Sequence, residues 1–204
     1  MALLLTGYLL QNMAICEYRG VLEGSQGGRR RPPPLTARSI ISAHVGKCGD
    51  MFCLERRRYR GHVLGIEYAV SPDLVITSKD GIPLAVMKAS LTSSTRKDHY
   101  FTRLLLEAYA IMREEGVESL ILAVLQAGDA TSLLRGIAFV RDNWDLAPHK
   151  GDGFIISTRL YDEQEALSVI GRAARVLLGE AKPMPRPGAA CRYCPYRQSC
   201  PYAP

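Results

Sequence analysis

Three cysteines near the C-terminus constrain the fold more than any other feature of the sequence. Cys191, Cys194 and Cys200 follow one another in a C-x-x-C-x-x-x-x-x-C spacing, behind a segment rich in proline. Two residues between cysteines allow a tight turn to direct both thiolates at one metal centre. Because three thiolates do not complete a tetrahedral set, a fourth ligand must come from elsewhere, and Cys16 is the best candidate. The two ends of the chain would then be held together by one centre.

Several kinds of centre fit this set of cysteines. Four cysteines can hold an iron–sulfur cluster or a structural zinc ion. A cysteine-rich tail with free thiols is the simpler alternative, and Cys16 taken alone would be interpreted as a buried core cysteine. The spacing therefore leaves an iron–sulfur cluster, zinc and free thiols open.

The composition is that of a globular protein with a basic surface. The chain has 204 residues, of which 47% are hydrophobic and 23% charged, enough for one compact domain with a core. The net charge of +6 favours an anionic partner, nucleic acid above all. No secretory signal is recognisable, and the first apolar run ends at Gln11, which is too short for a membrane span. We therefore expect a cytoplasmic protein with no membrane partner, whose clustered cysteines are ligands rather than disulfides.

Hydrophobic periodicity predicts an α/β domain built around a mixed sheet. Helices are expected over residues 6–19, 36–58, 98–115 and 161–178, with N-caps at Thr6, Thr36 and Asp98 and a stop at Gly179. Strands are expected over residues 63–70, 74–77, 82–87, 119–125, 136–140 and 154–157, the second and third forming a hairpin. The second helix would carry His44 within an apolar stripe, with Cys48 and Cys53 as ordinary core cysteines.

Two arginine clusters are candidates for contact with DNA. The first follows two glycines in an irregular segment, and the second lies at the end of the second predicted helix. Clustered arginines on a flexible arm suit a phosphate backbone, although a solvated loop is the alternative for the first cluster. The candidate DNA-binding residues are Arg29, Arg30, Arg31, Arg56, Arg57 and Arg58.

Taken together, these pieces resemble the RecB-like nucleases of the CRISPR adaptation machinery, the fourth Cas protein family. The resemblance covers nearly the whole chain, and its most specific part is the cysteine pattern, with one cysteine in a Cys-Glu-Tyr-Arg context near the N-terminus and three after a proline-rich linker. It implies a restriction-endonuclease-like (RecB-type) core in which helices flank a mixed sheet. It also implies an iron–sulfur cluster, four-iron rather than two-iron, that joins the N- and C-terminal segments through Cys16, Cys191, Cys194 and Cys200.

The resemblance further implies a division of the chain and a set of partners. Residues 1–35 would form an N-terminal helix and basic arm, residues 36–180 the nuclease core, and residues 181–204 the linker and cysteine tail. DNA and other Cas adaptation proteins would be the partners, in antiviral defence, and the oligomeric state stays open.

The nuclease centre of that family matches this sequence only in part. His44 and Asp73 match the metal-binding residues for Mg²⁺ or Mn²⁺, and Lys88 and Tyr109 match the lysine and tyrosine, with Lys88 near the scissile phosphate. The family's glutamate and glutamine are replaced by a valine and a leucine, which removes one metal-binding carboxylate. The departing positions are Val86 and Leu105, and the nearest carboxylates that could compensate are Glu67 and Glu107.

Three hypotheses follow from the sequence. The first is a metal-dependent deoxyribonuclease that trims single-stranded DNA during spacer acquisition, with Asp73, Lys88 and Tyr109 as catalytic residues. The second is a catalytically inactive relative that serves as a DNA-binding adaptor in the adaptation complex. The third is a zinc-stabilised nucleic-acid-binding domain unrelated to nucleases.

Overall fold

Two mixed sheets and the helices that flank them make up the fold. The structure, a computed structural model, describes residues 4–25, 37–92 and 97–204. It confirms the expected mixed α/β architecture with helices flanking the sheets. Three candidate DNA-binding residues and one expected cap lie outside the described residues, namely Arg29, Arg30, Arg31 and Thr36.

The larger sheet has seven strands in the order β2-β3-β6-β7-β8-β10-β9, and the smaller has three in the order β1-β5-β4. Strands β7 and β8 run parallel, as do β1 and β5, and the remaining neighbours are antiparallel. The strands are β1 (Leu4–Leu5), β2 (Lys47–Cys48), β3 (Cys53–Glu55), β4 (Tyr59–Val63), β5 (Ile66–Val70), β6 (Leu74–Thr77), β7 (Pro83–Leu91), β8 (Ile121–Ala127), β9 (His149–Lys150) and β10 (Phe154–Leu160).

In the part of the chain that the structure describes, six α-helices cover the sheets. Polar side chains open three of them, because Thr6, Asp129 and Asp162 each accept a hydrogen bond from a backbone N–H in the first turn. The helices are α1 (Gly7–Ile15), α2 (Glu17–Ser25), α3 (Ala37–Ile41), α4 (Asp98–Glu115), α5 (Ala130–Asp142) and α6 (Glu163–Leu177).

The apolar residues form two clusters. One cluster contains residues of α1, α4 and α6 packed against one face of the β6–β7–β8 strands, for example Leu10, Leu105 and Val86. The other cluster contains residues of α3 and α5 packed against the opposite face of the same strands, for example Ile137 and Met87. Because side chains alternate along a strand, β7 contributes to both clusters, and the sheet is buried on both faces.

Several sequence predictions are confirmed. The hairpin of β6 and β7 forms as expected, with Leu74 opposite Met87. Helix α4 has the predicted bounds, and it ends at Gly116, whose φ of 67° is left-handed. Strands β8 and β10 and helix α6 lie where the periodicity places them, and Gly179 follows α6 with a φ of 78°.

The segment from residue 36 to 58 is not one helix. Helix α3 ends at Ile41 and a short 3-10 turn continues to His44, after which Gly46 adopts a φ of 78° that ends the helical path. The chain then forms β2 and β3, which place Cys48 opposite Cys53. A disulfide joins these two cysteines, and Cys48 is exposed, so the prediction of two separate core cysteines is wrong.

Four further predictions of elements need correction. The first helix breaks at Cys16, whose extended backbone separates α1 from α2. The strand expected over 63–70 is a β4–β5 hairpin that turns at Leu64 and Gly65, both with positive φ. Residues 136–140 lie within α5, because Leu133, Ile137 and Val140 are buried at helical spacing. Asp98 is the first residue of α4, and the cap position is Lys97.

No helix in the described ranges combines the length and the apolar character that crossing a membrane requires.

The corner between α1 and α2 depends on a glycine, and this yields a prediction. A Cβ atom at Gly20 would lie 2.1 Å from Met13 Cγ and 3.3 Å from Met13 Cα, so any side chain there would push the two helices apart. We expect Gly20→Ala to lower the free energy of unfolding by about 1–3 kcal/mol through overpacking, as measured by urea unfolding. Gly24→Ala is the control, since its nearest neighbour would be 3.6 Å away; equal stability of the two variants would contradict the close packing.

Candidate functional site

The four cysteines from the two ends of the chain line one cavity. Cys16 follows α1, and the others lie on two 3-10 turns of the tail, Ala189–Tyr193 and Arg197–Ser199, or directly after them. All four are free thiols, and all are half-buried. The cavity has a volume of about 380 Å³, its open mouth included, and its lining includes Cys16, Cys191, Cys194 and Cys200. The four cysteines thus line one cavity. Their binding of one metal centre stays a prediction, since no group of three or more His, Cys, Asp and Glu side chains in the described residues is arranged to hold a metal ion.

The wall of this cavity carries cationic and apolar groups beside the thiols. Arg19 and Arg186 contribute to the lining, together with Ile15 and Leu22. The backbone N–H of Arg186 donates to Cys16 Sγ at 3.4 Å. The Nε of Arg19 is buried and has no hydrogen-bond partner among the described residues. Donors and cations around cysteine sulfurs suit an anionic group held by thiolates, since hydrogen bonds to the sulfurs stabilise such a group.

A buried carboxylate fixes the position of the tail against the helices. Glu17, next to Cys16, accepts hydrogen bonds from Arg172 Nε at 2.9 Å and Arg172 Nη2 at 2.8 Å. It also accepts the backbone N–H of Met184 at 2.7 Å, and Arg172 donates to the carbonyl of Lys182 at 2.9 Å. Residues at the start of α2, on α6 and in the linker thus meet at Glu17, one residue away from a candidate ligand.

Tyrosines of the tail make two more contacts with α2. The hydroxyl of Tyr196 donates to Glu23 Oε2 at 2.5 Å. The ring of Tyr202 meets the ring of Tyr18 edge-on, with centroids 5.1 Å apart. These contacts hold the segment with Cys194 and Cys200 against the helix that follows Cys16.

The second candidate site centres on Asp73, at the start of β6. Its carboxylate is 1% exposed. Lys88 Nζ lies 2.5 Å from Asp73 Oδ2, and Arg103 Nη2 lies 3.2 Å from Asp73 Oδ1. Lys88 also donates to the carbonyl of Ala89 at 2.6 Å. The sequence prediction that Asp73 and Lys88 stand together agrees with these distances, but the two side chains are bonded directly to each other.

Helix α4 brings a second buried carboxylate to the same place. Arg103 Nε donates to Glu107 Oε1 at 2.7 Å, one helical turn away. Glu107 is 1% exposed, and its other oxygen has no hydrogen-bond partner among the described residues. A side chain at Gly7 would come within 2.9 Å of Glu107 Oε1, so the glycine lets α1 pack closely on this pair. Arg103 therefore bridges Asp73 and Glu107, and with Lys88 they form a buried ion-pair network.

The pKa values follow from burial and from the neighbouring charges. Burial alone would raise the pKa of Asp73, but the charges of Lys88 and Arg103 outweigh this effect. The pKa of Asp73 is therefore lowered, and Asp73 is ionised at neutral pH. Burial lowers the pKa of Lys88, with Asp73 acting in the opposite direction. Burial raises the pKa of Glu107, and Arg103 reduces the effect. The pKa of Arg103 is raised, because the two carboxylates outweigh its burial.

The other positions compared with the nuclease centre do not join this network. Val86 and Leu105 are buried in the apolar cluster beside it. Tyr109 is 8% exposed and lies edge-on to Tyr68, with ring centroids 6.1 Å apart. Leu105 and Tyr109 occupy one face of α4, whereas Arg103 and Glu107 occupy another, as their spacing requires. Among the described residues no hydrogen bond joins the Tyr109 hydroxyl to Asp73, so the matched role of Tyr109 stays a prediction.

Among the described residues, His44 and Glu67 make no hydrogen bond or ion pair with the Asp73 network. No hydrogen bond or ion pair in the described residues joins His44 to Asp73 or Lys88. Burial, with Lys47 and Arg141 nearby, lowers the pKa of His44, so the imidazole is neutral at pH 7. Glu67 lies in β5, paired with His62. Within the described ranges, no group of three or more His, Cys, Asp and Glu residues is arranged to hold a metal ion.

The second arginine cluster is divided between structural and exposed roles. Arg57 makes ion pairs with Glu55 and Glu115, each at 2.7 Å, and is held within the fold. Arg56 donates to the backbone carbonyl of Arg38 at 3.3 Å. Arg58 is exposed and makes no hydrogen bond or ion pair with another described residue. Of the three, Arg58 is therefore the freest to contact DNA.

Sequence reasoning missed two important residues. Arg103 lies in a part of α4 whose other residues are nearly all buried. An arginine four residues before a glutamate in such a helix could have indicated an internal ion pair. Glu17 was noticed only as part of the Cys-Glu-Tyr-Arg motif. Its partner Arg172 lies 155 residues away, and no local pattern could have identified that pair.

The Asp73 network predicts a large effect on stability. Asp73→Asn would leave Lys88 and Arg103 buried with too little negative charge, so we expect the free energy of unfolding to fall by about 3–5 kcal/mol. Urea unfolding followed by circular dichroism measures it. Asp80→Asn, at an exposed turn, is the matched control and should change stability by about 0.5 kcal/mol or less. An Asp73→Asn protein as stable as the control variant would contradict the network.

The Glu17 contacts predict a pH-dependent effect. Hydrogen bonds from Arg172 lower the pKa of Glu17, so its stabilisation is present above the ordinary glutamate pKa and is lost as the pH falls below it. We expect Glu17→Gln to lower the free energy of unfolding by about 1–2 kcal/mol at neutral pH, and the difference from wild type to shrink towards about pH 3. Thermal unfolding at both pH values tests this, with exposed Glu180→Gln as the control. A difference that stays constant with pH would contradict the prediction.

Comparison with known proteins places few limits on this chain. No family model matches it, and no curated protein matches it. Among solved structures it is similar to the crystal structure of SSO0001, with a TM-score of 0.49 and 13% sequence identity over 99% of this chain and 88% of that chain. A function for this chain therefore depends on its own residues.

Proposed function

We propose that this protein is an iron–sulfur protein that binds DNA during CRISPR spacer acquisition, through a RecB-like core whose nuclease centre no longer takes a metal ion. This is the adaptor hypothesis among the three that the sequence leaves open. The observation that carries it is the meeting of Cys16 with the three tail cysteines in one cavity, because this set comes from opposite ends of the chain.

The chemistry of the cavity fits a cluster held by thiolates. Cys16, Cys191, Cys194 and Cys200 would be the ligands, and Arg19 and Arg186 would offset the negative charge that such a group carries. The group would supply structural cross-linking of the two chain ends. We expect the cluster to contain four iron atoms rather than two.

The charge balance around Asp73 supports the loss of nuclease activity. Arg38, Lys88 and Arg103 interact electrostatically there with two carboxylates, those of Asp73 and Glu107. Hard divalent ions prefer several free carboxylate oxygens, whereas here the cations outnumber the carboxylates and Arg103 already lies between them. An excess of positive charge repels a metal ion and attracts a phosphate. With Val86 and Leu105 in place of the usual glutamate and glutamine, the centre lacks a carboxylate that the metal site of the nucleases would need, which supports a binding role over cleavage.

The first experiment asks what the cysteine cavity holds and whether the protein degrades DNA. Wild-type protein is purified without oxygen, its iron, sulfide and zinc are measured, and it is incubated with end-labelled single-stranded DNA and Mn²⁺ beside Asp73→Ala. We expect a brown, iron-containing protein that binds DNA and degrades it in neither form. Cys194→Ala should be colourless and less stable.

Other outcomes separate the parts of this proposal. A colourless protein with one zinc per chain would replace the iron–sulfur assignment with the zinc-stabilised domain. Degradation by wild type that requires Mn²⁺, and that is lost in Asp73→Ala protein shown by circular dichroism to be folded, would show a working metal centre and overturn the adaptor role. DNA affinity that does not change between low and moderate salt would remove the expected phosphate contacts, since such contacts give a steep salt dependence.

A further inference from the structure

One tyrosine of the cysteine tail differs from its neighbours. Tyr196 and Tyr202 are held by Glu23 and Tyr18. Tyr193 is 87% exposed, the largest exposed fraction among the large apolar side chains of the described residues. Its side chain makes no hydrogen bond or ring contact with another described residue. An aromatic ring in this position is available for a partner from outside the chain.

The backbone presents this ring from a fixed point. Tyr193 ends the 3-10 turn Ala189–Tyr193 and lies between two of the candidate cluster ligands. The backbone N–H of Cys194 donates to the carbonyl of Cys191 at 3.2 Å and closes the turn around it. With both cysteines bound to one centre, the backbone on either side of the ring would be anchored, so that little conformational freedom would be lost on binding.

The charge around the ring identifies the kind of partner. Residues 181–204 contain no aspartate or glutamate, and their cations are Lys182, Arg186, Arg192 and Arg197. Arg192 is adjacent to Tyr193 and is exposed, as is Arg197. A flat aromatic face among cations suits a strand that offers unpaired bases and phosphates together. In a duplex the bases are stacked on one another, so the same ring has no base face to meet.

We propose that Tyr193 is a base-stacking residue for single-stranded DNA, with Arg192 beside it contacting the phosphate backbone. This inference rests on the proposed DNA-binding function and adds to it a specific subsite on the cysteine tail. It also gives the tail a direct part in recognition, beyond joining the two ends of the chain.

Affinity measurements on variants test the subsite. Binding of single-stranded DNA is measured by fluorescence anisotropy for wild type, Tyr193→Leu and Tyr193→Phe. Stacking on one base corresponds to a loss of about 5- to 150-fold when the ring is removed, so Tyr193→Leu should weaken binding by that factor and Tyr193→Phe should bind like wild type. Met184→Ala, which shortens another exposed apolar side chain of the same segment, is the matched control and should leave affinity unchanged.

A photochemical measurement on the wild-type chain does not depend on any variant. Single-stranded DNA that carries 5-iodouracil is irradiated in complex with the protein, and the cross-linked peptide is identified by mass spectrometry. We expect a cross-link at Tyr193 and a much weaker one with the corresponding duplex. Iron content and colour are measured for every variant, so that loss of the cluster is not mistaken for loss of the ring.

The outcomes distinguish this inference from the function on which it rests. Wild-type protein that binds single-stranded DNA, with an unchanged affinity in Tyr193→Leu and no cross-link at residue 193, would overturn the stacking role alone. Wild-type protein that binds no DNA would overturn both. A brown Tyr193→Leu protein with weakened binding, together with the cross-link, would support both.

Discussion

A charged carboxylate in the protein interior must be paired, and the pairing of Asp73 brings the central elements of this fold to one point. An ion taken from water into a protein is destabilised by several kcal/mol unless opposite charges and hydrogen bonds compensate it. Here Lys88 of β7 and Arg103 of α4 supply the compensation, and Glu107 with Gly7 extends it to α1. A shift of β6 against β7 by one residue, or a rotation of α4, would separate these charges, so the network helps to fix both the strand register and the helix orientation.

The two candidate sites use charge in opposite ways. Around Asp73 the carboxylates are already neutralised by arginine and lysine, so this centre is saturated with cations. Around the four cysteines, Arg19 has a buried nitrogen without a partner and the thiols are free, so this cavity still offers unused ligands and a positive wall. The first arrangement suits stability, and the second would suit a bound anionic group. The proposed cofactor is therefore assigned to the cysteine cavity and not to the Asp73 network.

The sequence predicted the elements whose patterns are local and long. The β6–β7 hairpin, helix α4 and helix α6 each show a repeat of apolar residues that matches their secondary structure. Ligand spacing pointed to Cys16 and the three tail cysteines, which line one cavity. The sequence did not reveal α5, because the apolar run from Gly136 to Val140 read alone is equally suited to a strand. Nor did it reveal β2 and β3, which are short and depend on pairing with β6. The contacts of Glu17 with Arg172 and of Asp73 with Arg103 were hidden for a different reason, since each joins residues that only the folded chain brings together.

The seven-stranded sheet ends at each edge in a strand of two residues, β2 on one side and β9 on the other. A sheet edge that offers long rows of unpaired N–H and C=O groups is a template on which a second chain can add a strand. Here β2 is tied to β3 by the Cys48–Cys53 disulfide, and β9 consists of His149 and Lys150, so each edge offers little backbone and β9 adds a lysine. Among the described residues the longer edge strand is β4 of the smaller sheet, so a partner that adds a strand would find more free backbone there than at β2 or β9.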